Sequence, residues 1–415
     1  MPTDVIVVGA GPAGLAAAEV TARAGLVTHV LERADAVGVP VRTSGGSWIA
    51  DLRELGIGPE FYHPIQRIRL ATPRAEAVFA YEEPLACVLR VKELYQHLAQ
   101  QAIAAGAVLR LRTSVLDVVS SGGAVAGVRL RRGPTGEAPQ AARVVIDASG
   151  YASHIGQAAG LHVGFPEFGL GAEQDLYAPN FDAREAWLMV GEDVAPGGYG
   201  WAFPDGRSRL RLGVGVPRPP RDADPRTCLE RLPVHFSGLR EQLNGAGPVE
   251  CHTGLVPFAA PRHVPLVADG LLVAGDAGGQ VSALVGEGIR YAIHAGRLAA
   301  ETAVAAVHRG DVSAAFLRRY ERAWYQRFEW DLQVAYRVYQ RIVRYRDADW
   351  DAKIAQLRHL SPCDFAQGLR GDFSLSWGFG IALKYPQLLG SIARALASEM
   401  TVGSQVFPRG GGRRM

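Results

Sequence analysis

Three things are scarce in this chain, and each scarcity removes a class of function. Cysteine is the first: Cys87, Cys228, Cys251 and Cys363 lie far apart and form no C-x-x-C pair, so neither a metal cluster nor a dithiol motif is expected. They read as isolated, mostly buried thiols of a reducing compartment. Net charge is the second. Lys and Arg number 44 against 41 Asp and Glu, and a balance of +3 spread over 415 residues gives no footprint for nucleic acid, which no sequence motif suggests either. The third is long apolar runs: none reaches the roughly eighteen residues of a membrane span. The N-terminus enters a strand without a basic segment and cleavage site, so the expected location is cytoplasmic, with a peripheral position on the inner face of a membrane left open. The histidines cluster nowhere at metal-ligand spacing, and no metal is expected.

What is present is ordinary globular composition, 48% hydrophobic and 20% charged, enough for two or three domains. The first thirty-three residues organise it. Val5 to Val8 form a short β-branched run that reads as a buried strand, and Gly9, Gly11 and Gly14 then make G-x-G-x-x-G before an Ala/Leu-rich helix. The first glycine permits the turn, the second lets backbone approach a pyrophosphate, and the third lets helix and strand pack closely. A second strand, Val27 to Leu31, ends at Glu32, whose carboxylate suits the two hydroxyls of an adenosine ribose and repels a 2′-phosphate. FAD or NAD is favoured over NADP.

Further along, Thr43-Ser44-Gly45-Gly46 lies in a Gly/Ser loop, a helix is expected over Ile49 to Leu55, and Ile65 to Thr72 with Ala77 to Tyr81 reads as a hairpin. Arg90 leads into a helix that Gly106 stops. Strands follow over Val108 to Val119, Val125 to Arg131 and Ala141 to Ala148, the last ending in Asp147-Ala148-Ser149-Gly150. The expected division is a discontinuous α/β Rossmann-like FAD-binding domain over 1–163 and 266–310, an antiparallel-sheet substrate domain over 164–265 which the 65–87 hairpin can join, a C-terminal helical region over 311–409, and a disordered tail over 410–415. Within these, helices are expected around Arg226 to Gly238, over Gly288 to His308, from Ser313 to Arg344 and near Pro386 to Ala397. The Ser313 to Arg344 helix carries an apolar stripe, Leu317, Tyr320, Trp324, Phe328, Leu332, Ala335, Tyr339 and Ile342, with arginines off it. Packing on the body and docking at an anionic membrane surface are both open.

A second nucleotide signal separates FAD from NAD. In LLVAGDAGGQVSALVGEGIRYAI an apolar strand delivers Gly275-Asp276, and Gly286-Glu287-Gly288 opens a helix ten residues later. Asp276 can accept a ribityl hydroxyl, and the helix start at Gly288 and Ile289 can aim N–H groups at the flavin edge where reduction places negative charge. The strand PGGYGWAFP sets Tyr199, Trp201 and Phe203 on one face, which suits either an aromatic wall above a flavin or an ordinary core. Arg90 can fork onto a pyrophosphate or be a surface helix-start arginine.

With GAGPAG, Arg90, the Asp147 to Gly150 strand end and GD…GEG in this order, the chain resembles the flavoprotein group that includes p-hydroxybenzoate hydroxylase. Within that group, Gly198-Tyr199-Gly200-Trp201-Ala202-Phe203-Pro204 resembles the Gly-Tyr-x-Trp-x-Phe-Pro signature of the geranylgeranyl reductase family. The resemblance covers about residues 1 to 310. It implies FAD contacts from Gly9, Gly11, Ala13, Gly14, Glu32, Arg33, Ser44, Gly46, Arg90, Val115, Gly275, Asp276, Gly286, Gly288 and Ile289, and substrate contacts from Tyr199, Trp201, Phe203 and Pro204. One departure stands out: the reductases usually carry Cys-Gly-Gly where this chain has Ser44-Gly45-Gly46.

The implied activity is FAD-dependent saturation of C=C bonds in a prenyl lipid, with hydride from flavin N5 and Tyr199 or ordered water as the proton donor. The alternative is a flavin monooxygenase or halogenase acting on a small aromatic or polyketide-like substrate, although Tyr199 stands where the halogenase Trp-x-Trp-x-Ile-Pro signature has a tryptophan. No second nucleotide fingerprint is present, so NAD(P)H binding transiently and a ferredoxin-type protein are both open as the reductant.

Overall fold

The structure is a computed structural model that describes residues 3–132 and 136–385. The helix expected near Pro386 to Ala397 and the tail over 410–415 lie outside the described residues. Two units are distinguished, Met1–Asp372 and Phe373–Met415.

The parallel core of the first unit follows from its β-branched runs. Thr3–Val8 pairs in parallel with Thr28–Leu31 on one side and Gly136–Asp147 on the other, and Val108–Arg110 and Leu271–Val273 extend the sheet. Val5, Ile6 and Val7 are fully buried, as expected of a strand covered on both faces. The register aligns the carboxyl ends: Val8 lies beside Leu31 and Asp147, Leu31 beside Arg110, and Asp147 beside Val273. Ligands of open α/β sheets bind outside these ends. Gly9 and Glu32 follow two of these ends directly, and Ser149 and Gly275 lie two residues past two others.

A seven-stranded sheet runs in the order Gly247–Pro257, Phe168–Tyr177, Arg209–Arg218, Tyr199–Pro204, Glu185–Met189, Arg67–Ala71 and Glu76–Ala80. Its neighbours are antiparallel except Glu185–Met189 and Arg67–Ala71, which come from distant parts of the chain and run parallel. A third, small sheet joins Gly46–Trp48, Ala86–Leu89 and Tyr62–Ile65. The expected strand over Ile65 to Thr72 is thus shared by two sheets. The chain crosses between them at Gln66, whose N–H bonds the Arg184 carbonyl at 3.0 Å.

Other expected elements break where the backbone turns. Val108 to Val119 splits around Arg112, which has φ of 52°, and Arg226 to Gly238 divides into Pro225–His235 and Ser237–Gln242. The long helix is Ala314–Ile342, and its stripe from Leu317 to Tyr339 is buried, with the Tyr320 hydroxyl donating to the Val273 carbonyl at 2.9 Å. The stripe therefore packs on the body. The cysteines correct an expectation: Cys87 is buried, but Cys251 and Cys363 are exposed, one on the edge strand Gly247–Pro257 and one in the first turn of the helix Pro362–Arg370, positions with one side open to water.

Candidate functional site

The two glycine motifs, more than 250 residues apart in sequence, meet at the carboxyl ends of the parallel strands. Gly9 has φ of +102°, and a Cβ there would stand 2.3 Å from the Ala148 carbonyl oxygen; one on Gly14 would stand 2.0 Å from the Gly9 oxygen. Turn, strand and helix Pro12–Arg23 are packed too closely for any side chain. Gly11 differs, since a Cβ there would meet nothing within 4 Å. No side chain caps the helix at Gly11, so its first N–H groups are left for a ligand. At the other motif Gly275 has φ of +72°, and its Cβ would lie 3.0 Å from the Ala13 Cβ. The helix Ile289–Arg309 also starts uncapped, at Gly288.

Asp276 follows Gly275 and lies at the start of the helix Ile289–Arg309. Its carboxylate has no hydrogen-bond partner among the described residues, and Oδ1 lies 3.0 Å from where a Gly288 side chain would begin. Burial pushes its pKa up to about 6. Glu32 is half-buried, and each of its oxygens accepts one backbone N–H at 2.8 Å, from Ala10 and from Ala34, which leaves further lone pairs. Arg90 stands at the start of the helix Val91–Ala104 without a side-chain bond to it, one terminal nitrogen donating to the Glu60 carbonyl at 2.7 Å while its buried Nε lacks a partner. Arg33 is exposed, and Val115 opens the half-buried strand Val115–Ser121.

A cavity of about 750 Å³, its mouth included, opens beside the Gly286–Ile289 segment. One part of its wall is apolar, from Ile65, Ile68, Ala86, Ala186, Leu188 and Leu369, and another is polar, from Ser44, Ser47 and Glu287. Tyr199 and Phe203 line it; Trp201 and Pro204 do not. Trp201 is 8% exposed, and its indole N–H donates to Glu173 Oε2 at 2.6 Å, while His252 Nε2 donates to Glu173 Oε1 at 2.7 Å. The three aromatics do share a face, with Trp201 5.6 Å from Tyr199 and 6.4 Å from Phe203, ring centre to ring centre. Phe203 lies against Gly46, whose Cβ would meet it at 3.1 Å. The Tyr199 hydroxyl donates to the Val285 carbonyl at 2.6 Å, and burial raises its pKa, so its proton is committed to the Val285 to Gly288 turn.

Two residues, one lining the cavity and one behind its loop, were not singled out as site residues from sequence. Cys87 pairs in register with Ser47 across the small sheet, and burial raises its thiol pKa. Arg211 is buried and donates to the carbonyls of Ser44 at 2.8 Å and Leu89 at 2.9 Å, holding the loop that bears Ser44 and Gly46. Arg211 falls within an alternating strand, Arg209–Arg218, and an inward arginine on such a strand is the signal that was available.

The comparisons with known proteins add the family. Residues 4–185 match the family model for FAD dependent oxidoreductases and residues 171–251 the geranylgeranyl reductase catalytic domain. The digeranylgeranylglycerophospholipid reductase 1 of Methanopyrus kandleri is 34% identical over 79% of this chain and 87% of its own length. The chain belongs to the geranylgeranyl reductase family. A second relative, the digeranylgeranylglycerophospholipid reductase 2 of Methanothermobacter thermautotrophicus, is 32% identical over 86% of this chain and 92% of its own. Among solved structures, a geranylgeranyl bacteriochlorophyll reductase-like protein from Thermoplasma acidophilum superposes with a TM-score of 0.83 at 25% identity, covering 95% of this chain and all of that one. The flavin-dependent brominase Bmp2 shares the fold at a TM-score of 0.71 and 17% identity. This geranylgeranyl reductase family member is an FAD-dependent oxidoreductase with a mixed α/β fold and a helical C-terminal region. Among the described residues no group of side chains could hold a metal ion, and no helix is long and apolar enough to cross a membrane.

Proposed function

We propose that the chain saturates carbon–carbon double bonds in the prenyl chains of a lipid or related isoprenoid. The observation that carries the reading is the cavity, whose apolar wall suits a hydrocarbon chain and whose polar side adjoins Gly286–Ile289. The residues present fit FAD: Gly11 leaves room for a close backbone approach, two helix starts are uncapped, Asp276 is unpartnered and the buried Nε of Arg90 has no acceptor. In this reading Gly9, Gly11, Ala13 and Gly14 cradle the pyrophosphate with Arg90, Glu32 and Arg33 face the adenosine, Ser44, Gly46 and Val115 complete the enclosure, and Gly275, Asp276, Gly286, Gly288 and Ile289 hold the ribityl chain and ring edge. When bound and reduced, FAD supplies the two-electron equivalent as hydride.

The protein's own part is to bind, orient and keep water out. Ile65, Ile68, Ala186, Leu188 and Leu369 desolvate the chain, at about 25 cal/mol per Å² of apolar surface removed from water. Phe203 adds an aromatic wall, and Tyr199 fixes the turn ahead of Glu287 through Val285. Trp201 flanks Tyr199 and Phe203 on the same strand face without lining the cavity, and Pro204 ends that strand. Lack of a second nucleotide fingerprint supports NAD(P)H binding transiently or a ferredoxin-type donor as reductant. The second unit's helix Leu375–Lys384 exposes Leu375, Phe379 and Leu383 at four-residue spacing, which supports peripheral contact with the cytoplasmic face of a lipid bilayer where such a substrate resides. The deciding experiment is turnover of a prenyl lipid by chemically reduced enzyme without oxygen. Saturated product is expected. Product that forms only after air is admitted assigns the chain to monooxygenase or halogenase chemistry instead.

A further inference from the structure

Saturation of an isolated alkene needs a proton as well as a hydride, and such an alkene accepts hydride poorly unless an acid delivers that proton in the same step. Three side chains that line the cavity can titrate as acids: Cys87, Tyr199 and Glu287. Tyr199 has its O–H turned to the Val285 carbonyl, and Cys87 is a thiol that burial makes a weaker acid. Glu287 is the one carboxyl among the lining residues. It is 8% exposed and both of its oxygens are held, Oε1 by the Ser47 hydroxyl at 3.2 Å and Oε2 by Arg290 Nε at 3.0 Å.

We infer that Glu287 is the proton donor of the reduction, with Ser47 and Arg290 as its positioning residues. The assignment rests on the prenyl-lipid reading above. In the step, the carboxyl O–H bond of Glu287 breaks and a C–H bond forms at one alkene carbon with the electron pair of the π bond. Reduced FAD, when bound, would supply the hydride that the other carbon takes. Glu287 is left as a carboxylate beside Arg290 and regains its proton from solvent.

The surroundings suit a carboxyl that changes charge. Ser47 faces it from the small sheet, Arg290 from the helix Ile289–Arg309, and Cys87 and Tyr199 across the cavity. Behind Arg290, Asp51 accepts from it at 3.3 Å and from Arg370 at 2.8 Å on both carboxylate oxygens. Arg290 therefore keeps a buried counter-ion in Asp51 when Glu287 is neutral, and Arg370, which shares Asp51, has a second one in Asp372 at 3.9 Å, so protonating Glu287 strands no unpaired cation. Burial raises the Glu287 pKa against the pull of Arg290, which favours a proton held until the substrate takes it.

Two readouts on the FAD-loaded enzyme test this. With wild type that reduces prenyl lipid anaerobically, Glu287→Gln should lower kcat roughly 100- to 10,000-fold with KM for the lipid little changed and FAD content intact, and Glu287→Asp should recover part of the loss. Wild-type kcat in Glu287→Gln overturns the assignment and leaves the functional reading standing; a wild type that reduces no prenyl lipid sinks the functional reading instead. The second readout needs no turnover. Infrared difference spectra of the oxidised holoenzyme should contain the carbonyl stretch of a protonated carboxylic acid at neutral pH, shifted by Ser47→Ala. If Glu287→Gln fails to retain FAD, the Ser47→Ala shift decides: its presence supports Glu287 as the acid, and its absence, or a carboxylate ionised throughout the neutral range, overturns it.

Discussion

Around the parallel sheet, glycine makes room for backbone; under Trp201 in the seven-stranded sheet it makes room for an indole. Gly9, Gly14 and Gly296 each leave a gap that a backbone oxygen fills, and a Cβ on Gly296 would come 2.1 Å from the Ala13 carbonyl. Gly171, Gly213 and Gly215 instead lie under the Trp201 ring, with a Gly213 Cβ only 2.3 Å from it. Close packing of backbone is what a phosphate cradle needs, because its N–H groups are the ligands. A bed of glycines under one tryptophan serves a different end, holding a large side chain flat beside the aromatics that line the cavity. The difference teaches that glycine count alone says little about function; what approaches the glycine says more.

The hardest way to break this comparison is at Gly14. Gly14→Ala forces a methyl group into the Gly9 oxygen, and overpacking of this severity should lower unfolding free energy by about 3 kcal/mol and abolish flavin retention. Gly11→Ala should behave in the opposite way. Nothing in the protein lies within 4 Å, so the flavin-free variant should melt like wild type while its affinity for FAD falls. Calorimetry of both variants without flavin, then FAD titration, separates the roles; equal destabilisation of the two would show that Gly11 is not kept small for a ligand.

Asp276 sharpens the contrast between an arrangement made for stability and one made for a ligand. Its folded pKa of about 6 exceeds the ordinary value of 3.8, so between those pH values the native state binds more protons than the unfolded chain. Stability of the flavin-free protein should therefore fall as pH rises from about 4 to about 6 and stay lowered above, by on the order of 2 kcal/mol. Asp276→Asn should remove that slope, leaving a more stable flavin-free protein at pH 7 that holds FAD less well. Melting curves across this range check it: an unchanged slope in Asp276→Asn would mean that the carboxylate is compensated by groups outside this site.

The two glycine motifs were legible because the parts of each are contiguous. Strand, glycine turn, helix and Glu32 occupy thirty-three residues, and Gly275 to Ile289 occupy fifteen, so local pattern carried the geometry. The cavity was not. Its wall draws on Ser47, Cys87, Ala186, Phe203, Glu287 and Leu369, which become neighbours only through pairings between distant strands and the packing of Pro362–Arg370. The alternation of Tyr199, Trp201 and Phe203 did reveal a shared face, yet period-two spacing cannot tell which residues of a face meet the cavity and which are covered by a neighbour. The Ser44 to Gly46 loop reads differently in space as well. It lacks the thiol usual in the family, but the buried Cys87 of the adjoining strand lines the same cavity.

Trp201 gives the smallest expected effect and the sharpest test of the seven-stranded sheet. If the indole stays out of the cavity, its contribution is to stability through the Glu173 bond and through area covered on the glycine bed. Trp201→Phe keeps most of that area but leaves Glu173 Oε2 without its donor, while His252 still holds Oε1. An unsatisfied buried acceptor costs about 1 to 3 kcal/mol, so the variant should lose roughly that much stability, with FAD content and KM for a prenyl lipid unchanged. Phe203→Ala supplies the contrast, because Phe203 lines the cavity: it should raise that KM with a smaller loss of stability. A double change, Trp201→Phe with Glu173→Gln, should recover part of the first loss by removing the buried charge as well. If Trp201→Phe instead raises KM while melting like wild type, the indole reaches the substrate, and the glycine bed is there to let it move toward the cavity.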